Sequence, residues 1–348
     1  MTDTHIRAED LYQIVALSDP RFSPDGGRLA YVRTEIDRED NGYKSAIWLV
    51  PAGGGQPRQF TSGEKRDHSP RWSPDGRWLA FVSNRGGEKP QIYLMPTDGG
   101  EALPLTEVET GASNPVWSPD GGRLAFLSRL DADEMAAEAE PEPDSAADPE
   151  EKRRRAEEKK RKKEEKLDPR VVDRFPYRAE TSYLEERTSH LYVVDVDGET
   201  GRATGTPRRL TQDDRNYNDP RWMPGGDALL AVATREPGED DLFYYSDVVR
   251  VPLDGGEVEI LTSAETADHS PRPSPDGQWI AYSSMPGGEM TTANAEIKLM
   301  PAAGGDPARV LTAGLDAHAR DLTWMPDGQG LAFLVPRHGR VDVCHVGL

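Results

Sequence analysis

The stretch SPRWSPDGRWLAFV, residues 69–82, contains two short segments of strand-forming residues joined by a tight turn. Within SPDG, the proline presets φ at the second turn position, and the glycine tolerates the positive φ with which the turn ends. The alternating apolar pattern of WLAFV is typical of a β-strand. The stretch therefore predicts a β-hairpin.

This hairpin pattern occurs six times in the 348 residues of the chain. The turn prolines are Pro24, Pro74, Pro119, Pro224, Pro275 and Pro326, and their successive spacings are 50, 45, 105, 51 and 51 residues. Four spacings match a period near 50, and the long one fits a single repeat with 54 additional residues. Repetition at a fixed period indicates an array of similar structural units.

Each repeat carries the signals of four strands. The hairpin supplies two, a segment such as QIYLMP (91–96) supplies the third, and a Gly-rich turn such as DGG (98–100) leads to the fourth. The fourth strands end in FT or LT, at Thr61, Thr106, Thr211, Thr262 and Thr312. Four strands per repeat at this period are typical of a β-propeller blade, so the sequence predicts an all-β propeller.

The repeats also predict where the segments of the chain begin and end. We expect an N-terminal helix or extension over 1–16, blades one to three (first part) over 17–130, a charged insertion with its return loop over 131–187, and the rest of blade three to blade six over 188–348. The final VDVCHVGL falls within the third strand of the sixth repeat. The sixth blade is therefore predicted to lack a fourth strand.

The insertion has an unusual charge pattern. Residues 131–149 carry only acidic charges, whereas 16 of the 17 residues in 150–166 are charged, ten of them basic. Glu–Arg and Glu–Lys pairs four residues apart favour a helix, but no apolar stripe is present to bury. The pattern predicts a helical or disordered solvated excursion, or alternatively a contact arm that reaches another subunit of a homo-oligomer or gates entry to the propeller.

The repeat resembles the propeller unit of Tol–Pal-type propellers and of the prolyl oligopeptidase family of serine peptidases. Two further segments resemble the acylaminoacyl-peptidase branch of that family: RAEDLYQIVALSDPRFSPDGGRLAYV (7–32) and RFPYRAETSYLEERTSHLYVVDV (174–196). The resemblance implies a propeller, usually of seven blades, that caps a C-terminal α/β-hydrolase domain. That domain carries a Ser-Asp-His triad whose serine lies in a G-x-S-x-G elbow.

No such elbow occurs in the sequence; the nearest segment, GASNP (111–115), lacks the last glycine. We therefore expect no catalytic residue in this chain and a catalytic serine beyond residue 348. Two interpretations are open. The chain is the propeller portion of a longer peptidase, or it is a complete six-bladed protein in which residues 8–18 supply the missing strand.

Three functions follow from these patterns. In the first, the propeller restricts access to a serine peptidase, so that short peptides enter and folded proteins do not. In the second, a non-catalytic propeller binds a protein partner. The third, an enzyme with its site in the propeller channel, requires metal ligands or paired carboxylates converging from several blades, and the sequence shows no such set.

The letters Asp-His-Ser occur twice, at Asp67-His68-Ser69 and at Asp268-His269-Ser270. The third position is small and polar in all six repeats, which predicts a side chain that bonds local backbone in a turn. Neighbouring residues of an extended segment point to opposite sides, so no triad is expected here. Propeller topology places His68 and His269 near the mouth of the channel, as structural hydrogen-bonding residues.

The return segment from the insertion contains Arg174, Tyr177 and Arg178. Arginine and tyrosine side chains are suited to holding a carboxylate or a peptide end. We expect these three residues to help select peptide substrates.

Composition limits the remaining possibilities. The net charge of −20 argues against nucleic acid as the main partner, because phosphate binding requires a basic surface. The N-terminus has no apolar run typical of a secretion signal, and no stretch approaches the length of a membrane helix. A single cysteine, Cys344, fits a reducing cytoplasm. No zinc, calcium or phosphate-loop motif is present, so no metal or cofactor is expected.

Overall fold

Each SPDG hairpin forms the inner part of a small antiparallel sheet, or blade, in a computed structural model of the chain. The structure describes residues 7–139, 157, 161, 178–179, 182–183, 187–235, 245–262, 265–286, 293–304 and 308–348. The chain divides into a propeller unit (Met1–Arg129, Thr188–Pro237 and Leu242–Leu348) and an insertion unit (Leu130–Arg187 and Gly238–Asp241).

The propeller unit begins with a short 3-10 helix, Ala8–Gln13. Blade one contains β1 (Val15–Phe22), β2 (Arg28–Asp37), β3 (Gly42–Pro51) and β4 (Arg58–Gln59). Blade two contains β5 (Asp67–Trp72), β6 (Trp78–Ser83), β7 (Gln91–Pro96) and β8 (Leu103–Pro104). In both blades the strands pair in chain order, as the four-strand pattern predicts.

Blade three begins with β9 (Ser113–Trp117) and β10 (Arg123–Leu130). The insertion unit follows, with α1 (Ala132–Ala139), β11 (Arg178–Ala179) and β12 (Ser182–Tyr183). Blade three then continues with β13 (Thr188–Asp197), β14 (Arg202–Ala203) and β15 (Arg208–Arg209). The β14 strand is an addition to the four-strand pattern and pairs with the end of β13.

The last three blades complete the described structure. Blade four contains β16 (Tyr217–Trp222), β17 (Ala228–Thr234), β18 (Ser246–Pro252) and β19 (Glu259–Ile260). Blade five contains β20 (Thr266–Pro273), β21 (Trp279–Pro286), β22 (Glu296–Pro301) and β23 (Arg309–Val310). Blade six contains β24 (Arg320–Trp324), β25 (Gly330–Arg337) and β26 (Arg340–Gly347), three strands as predicted. The fold is an all-β propeller.

The charged insertion is helical where the structure describes its first part. Helix α1 covers Ala132–Ala139, and Asp131 accepts a hydrogen bond from the Glu134 backbone while the Glu134 side chain accepts one from the Asp131 backbone. This reciprocal capping box stabilises the first turn. Of the run 150–166, only Glu157 and Arg161 are described, both helical. The remainder of that run lies outside the described residues.

Tryptophans of the first strands connect one blade to the next. Their indole N–H groups donate to a backbone carbonyl on the first strand of the preceding blade at 2.9–3.1 Å, in the pairs Trp72–Arg21, Trp117–Arg71, Trp222–Val116 and Trp324–Arg272. Buried indole groups need such a partner. The tryptophan therefore sets the position of four blades against the preceding one, whereas blades one and five have Phe22 and Pro273 at that position.

The hairpin turns also pack against the preceding blade. A Cβ placed on the turn glycine would lie 3.4–3.9 Å from the turn proline of the preceding blade, in the pairs Gly76–Pro24, Gly121–Pro74, Gly226–Pro119, Gly277–Pro224 and Gly328–Pro275. In blade one, Gly26 has no such neighbour within 4 Å. At the tryptophan position of that blade, Phe22 is 64 % exposed. Among the described residues, no other blade therefore covers the first side of blade one.

The threonine that ends each FT or LT motif has a structural role that the sequence did not predict. Its Oγ1 accepts a hydrogen bond of 2.9–3.2 Å from a third-strand amide, in the pairs Thr61–Ile47, Thr106–Ile92, Thr211–Leu191, Thr262–Val248 and Thr312–Ile297. The fourth strands are only two residues long. A side chain thus satisfies a buried amide where the backbone ladder has ended.

The N-terminal residues do not complete blade six. Residues Ala8–Gln13 form the 3-10 helix, and Val15–Phe22 pairs with β2 as the first strand of blade one. Among the described residues, the β24–β26 sheet contains no fourth strand. The interpretation in which residues 8–18 supply that strand is therefore wrong, because the described part of the chain places them in the 3-10 helix and at the start of β1, which pairs with β2 and not with blade six.

Candidate functional site

The small polar residue of each repeat lies inside the first strand rather than in a turn before it. The backbone there is left-handed, with φ between 47° and 55° at Asp19, Ser69, Asn114, Asp219, Ser270 and Asp321. The strand register shifts at the same place, as between His68 and Arg71, which is the signature of a β-bulge. Asp, Asn and Ser occur because short polar side chains tolerate this conformation best after glycine. The predicted turn is thus corrected to a bulge.

The bulge brings His68 and Ser69 together. The His68 Nδ1 lies 2.9 Å from the Ser69 Oγ, although an ordinary strand would direct the two side chains apart. The buried Asp67 instead forms an ion pair with Arg85, at 2.8 Å between Oδ2 and the guanidinium. A triad requires the imidazole between serine and carboxylate, and this arrangement lacks that order.

The second copy has related but different contacts. The His269 Nδ1 lies 3.5 Å from the Oγ of Ser246, and that hydroxyl donates to the Asp268 carbonyl at 3.0 Å. Burial lowers the pKa of both His68 and His269, against the opposing effect of neighbouring aspartates. The two imidazoles are therefore neutral at neutral pH.

An arginine–aspartate cluster lies beside His68, on the first strands of blades one and two. Both Asp19 oxygens are paired, one with Arg21 of the same strand at 2.6 Å and the other with Arg71 of β5 at 2.7 Å. Arg71 also donates to the Pro70 carbonyl at 2.7 Å. We call these three charged residues the first cluster.

The same geometry occurs beside His269, on the first strands of blades four and five. Asp219 pairs with Arg221 of its own strand at 2.6 Å and with Arg272 of β20 at 2.9 Å. Arg272 likewise donates to the preceding carbonyl, that of Pro271, at 2.8 Å. We call this set the second cluster. In each cluster one carboxylate is held by two guanidinium groups from adjacent blades.

The two clusters act on each other electrostatically. Burial and the neighbouring Arg272 lower the pKa of Arg221 to about 10, and Arg71 and Arg21 of the first cluster contribute in the same direction. Burial and Arg21 likewise lower the pKa of Arg71. The arginines of both clusters lie on first strands, which line the central channel of a propeller.

The sequence carried a signal for these clusters. In four blades the first strand contains a Pro-Arg pair, which includes Arg21, Arg71, Arg221 or Arg272. Blades three and six have Val116 and Thr323 at the arginine position. In both clusters the aspartate of a DPR segment (19–21 or 219–221) pairs with the arginine of a DHSPR segment in the next repeat (67–71 or 268–272). The ion pair joins residues of two different blades, so no motif within a single repeat predicts it.

The three residues predicted to select substrates lie in the return segment. Arg178 is the first residue of β11, and its backbone is in register with Tyr183 of β12. Arg174 and Tyr177 lie outside the described residues. Their proposed role stays a prediction.

The described residues contain neither a metal-binding cluster nor a helix that could cross a membrane. No group of three or more His, Cys, Asp or Glu side chains in the described ranges could hold a metal ion. None of the described helices is both long and apolar enough to cross a membrane.

His190 is a buried titratable group on the third strand of blade three. It is fully buried, with Nε2 2.8 Å from the Thr188 hydroxyl and Nδ1 3.1 Å from that of Thr211. Burial lowers its pKa from 6.5 to about 4, and the charge of Arg209 adds to the effect. The folded state therefore holds the imidazole neutral.

This burial predicts a pH dependence of stability. Above pH 6.5 the imidazole is neutral in both states, and as pH falls from 6.5 to 4 only the unfolded state gains the proton. The free energy of unfolding should fall by about 3 kcal/mol from this residue over that range. Urea unfolding of the wild type and His190→Gln should show a stability difference that shrinks toward pH 4. A difference independent of pH would contradict the assignment.

Comparisons with known proteins agree with this fold. Residues 12–145 match the family model described as TolB beta propeller domain. A sequence relative, the uncharacterized peptidase YuxL of Bacillus subtilis (strain 168), is 47 % identical over 83 residues, which are 24 % of this chain and 13 % of that protein.

Two solved structures extend the similarity to almost the whole chain. Acylaminoacyl peptidase of Pyrococcus horikoshii matches with a TM-score of 0.65 at 17 % identity, over 96 % of this chain and 45 % of that one. The β-propeller domain of the Trilobed protease from Pyrococcus furiosus matches with a TM-score of 0.60 at 16 % identity, over 96 % and 81 %. The chain thus spans less than half of the acylaminoacyl peptidase. Residues 12–145 are thus similar to the TolB beta propeller domain, and the chain shares its fold with propellers of peptidases.

Proposed function

We propose that this chain is the propeller portion of a serine peptidase that hydrolyses short peptides. The observation that carries the proposal is the 47 % identity to the uncharacterized peptidase YuxL over 83 residues, and the fold shared with peptidase propellers over 96 % of the chain supports it. The substrate class, with acylaminoacyl or related oligopeptides as the first choice, is part of the proposal. So are a cytoplasmic location and a homo-oligomeric state.

The uncovered side of blade one supports the presence of further sequence in the working protein. Leu17 and Phe22 on β1 are 66 % and 64 % exposed, and Val341 and Val343 on β26 are 48 % and 77 % exposed. Exposed apolar faces of this kind are usually covered by another element. In the proposal, a seventh blade of the same polypeptide covers them, and a hydrolase domain carries the catalytic serine.

The propeller's proposed role is to limit the size of what reaches that serine. A peptide of a few residues should be hydrolysed by the purified full-length protein, whereas the same sequence within a loop of a folded protein should be left intact. Mass spectrometry of both substrates, after the same incubation time with the protein, measures how much of each is cleaved. Cleavage of the folded substrate at a comparable rate would rule out the gating role, and cleavage of neither would rule out the peptidase.

A propeller that binds a protein partner is the candidate from a different class. The match of residues 12–145 to the model described as TolB beta propeller domain supports it, because that description names no peptidase. In that case the full-length protein should lack peptidase activity. It should also remain unlabelled by reagents that react with activated serines.

A further inference from the structure

The two clusters hold more positive than negative charge in a strongly acidic protein. Four guanidinium groups face two carboxylates, Asp19 and Asp219, in a chain whose net charge is −20. Asp321, the third aspartate at a bulge position, is exposed on β24, and counting it still leaves one positive charge in excess. The two clusters therefore hold an excess of positive charge within first strands that carry five arginines and five aspartates in total. On those strands Asp67 and Asp268 are buried, and Asp67 is paired with Arg85.

The arginines keep donors for a ligand. Within the described residues, Arg21 pairs through Nη2 and Arg71 and Arg272 through Nη1. A guanidinium carries five N–H donors in a planar fork. The four side chains are 22–47 % exposed, so they are held in place by Asp19 and Asp219 without being enclosed by them.

The lowered pKa of Arg221 also favours the binding of an anion. Burial and nearby arginines lower the pKa of Arg221, so the folded protein stabilises its charged form less than water does. A bound anion would remove this cost, since guanidinium and carboxylate groups match in charge and in fork geometry. The neutral His68 and His269 beside the clusters add no competing charge.

We propose that the first and second clusters form a binding site for the carboxylates of acidic peptides, with Arg71 and Arg272 as the main cross-blade donors. The geometry favours a ligand with two or more carboxylates, because the same three-residue arrangement is repeated on blades one and two and on blades four and five. The peptide nature of the ligand rests on the proposed function, whereas carboxylate binding rests on the clusters alone.

The test measures binding, so its result does not depend on catalysis. A fluorescein-labelled tetrapeptide of D-glutamate, which resists hydrolysis, is titrated with the full-length protein and followed by fluorescence anisotropy. A D-glutamine tetrapeptide is the matched uncharged probe, and amidation of the C-terminus separates side-chain from terminal carboxylates. We expect binding of the glutamate probe that weakens with salt, and little binding of the glutamine probe.

Three double variants locate the site. Arg71→Gln with Arg272→Gln should weaken binding of the glutamate probe by about tenfold or more, and Arg71→Lys with Arg272→Lys should weaken it less. The control, Arg77→Gln with Arg337→Gln, changes net charge equally at exposed positions and should leave binding nearly unchanged. Equal weakening by the control would assign binding to the overall field and overturn the proposal.

The opposite change gives a result that a purely structural role would not produce. Asp19→Asn with Asp219→Asn removes the internal competitors and should tighten binding of the glutamate probe. If the clusters only held the blades together, this variant would lose stability and would not gain affinity. Unchanged or weaker binding in a folded Asp19→Asn/Asp219→Asn protein would therefore contradict the site. Peptidase activity without probe binding would overturn this inference and leave the proposed function standing.

Discussion

Replacing Trp222 with alanine is expected to lower the free energy of unfolding by about 3–5 kcal/mol. The side chain is 7 % exposed and packs in the core formed by blades three and four, with Leu229 and Val249 among its neighbours. Its indole also donates to the Val116 carbonyl of the preceding blade at 3.0 Å. The substitution removes both the packing between blades and the hydrogen bond that connects them.

Trp279 provides a control of the same residue type. It lies on the second strand of blade five and is 37 % exposed, so Trp279→Ala should cost less than half as much as Trp222→Ala. Trp222→Phe should retain most of the packing and cost about 1 kcal/mol for the lost hydrogen bond. Urea unfolding measures all three. Equal costs for the two alanine variants would show that the tryptophan contact between blades does not hold the propeller together.

A polypeptide limited to residues 1–348 should self-associate, and Leu17→Ser with Phe22→Ser should weaken that association by on the order of 100-fold. The reason is the uncovered face of blade one, where the two side chains are 66 % and 64 % exposed. Each such side chain gains about 1.5 kcal/mol or more when it is buried. Analytical ultracentrifugation over a range of concentrations measures the change.

Ile260→Ser is the control for that experiment. Ile260 is 45 % exposed on the outer strand of blade four, away from the first strand of blade one. It should not alter self-association. A monomeric 1–348 polypeptide that unfolds cooperatively would contradict the need for covering sequence.

The fold was predictable from the sequence because its determinants are local. Pro74 and Gly76 fix a turn that needs no partner outside its own blade, and five equivalent turns repeat that information. The extra β14 strand and the helix α1 were not located in advance, since one depends on the particular return of β13 and the other lies in a segment without apolar periodicity.

The candidate site was less predictable because it depends on contacts between repeats. His68 and His269 lie in an Asp-His-Ser motif that is visible in the sequence, whereas the charged contacts beside them join Asp19 with Arg71 and Asp219 with Arg272. These partners are 52 and 53 residues apart. The sequence also could not show that the small polar residue forms a bulge, because aspartate and serine suit turns and left-handed strand positions alike.

Labelling with a fluorophosphonate tests the central claim most directly. The protein purified from its own cells is treated with the reagent, which reacts with activated serines, and the modified peptide is identified by mass spectrometry. The peptidase proposal predicts one labelled serine in a G-x-S-x-G segment outside residues 1–348, on the same polypeptide as the propeller. An intact protein with no labelled serine would contradict it.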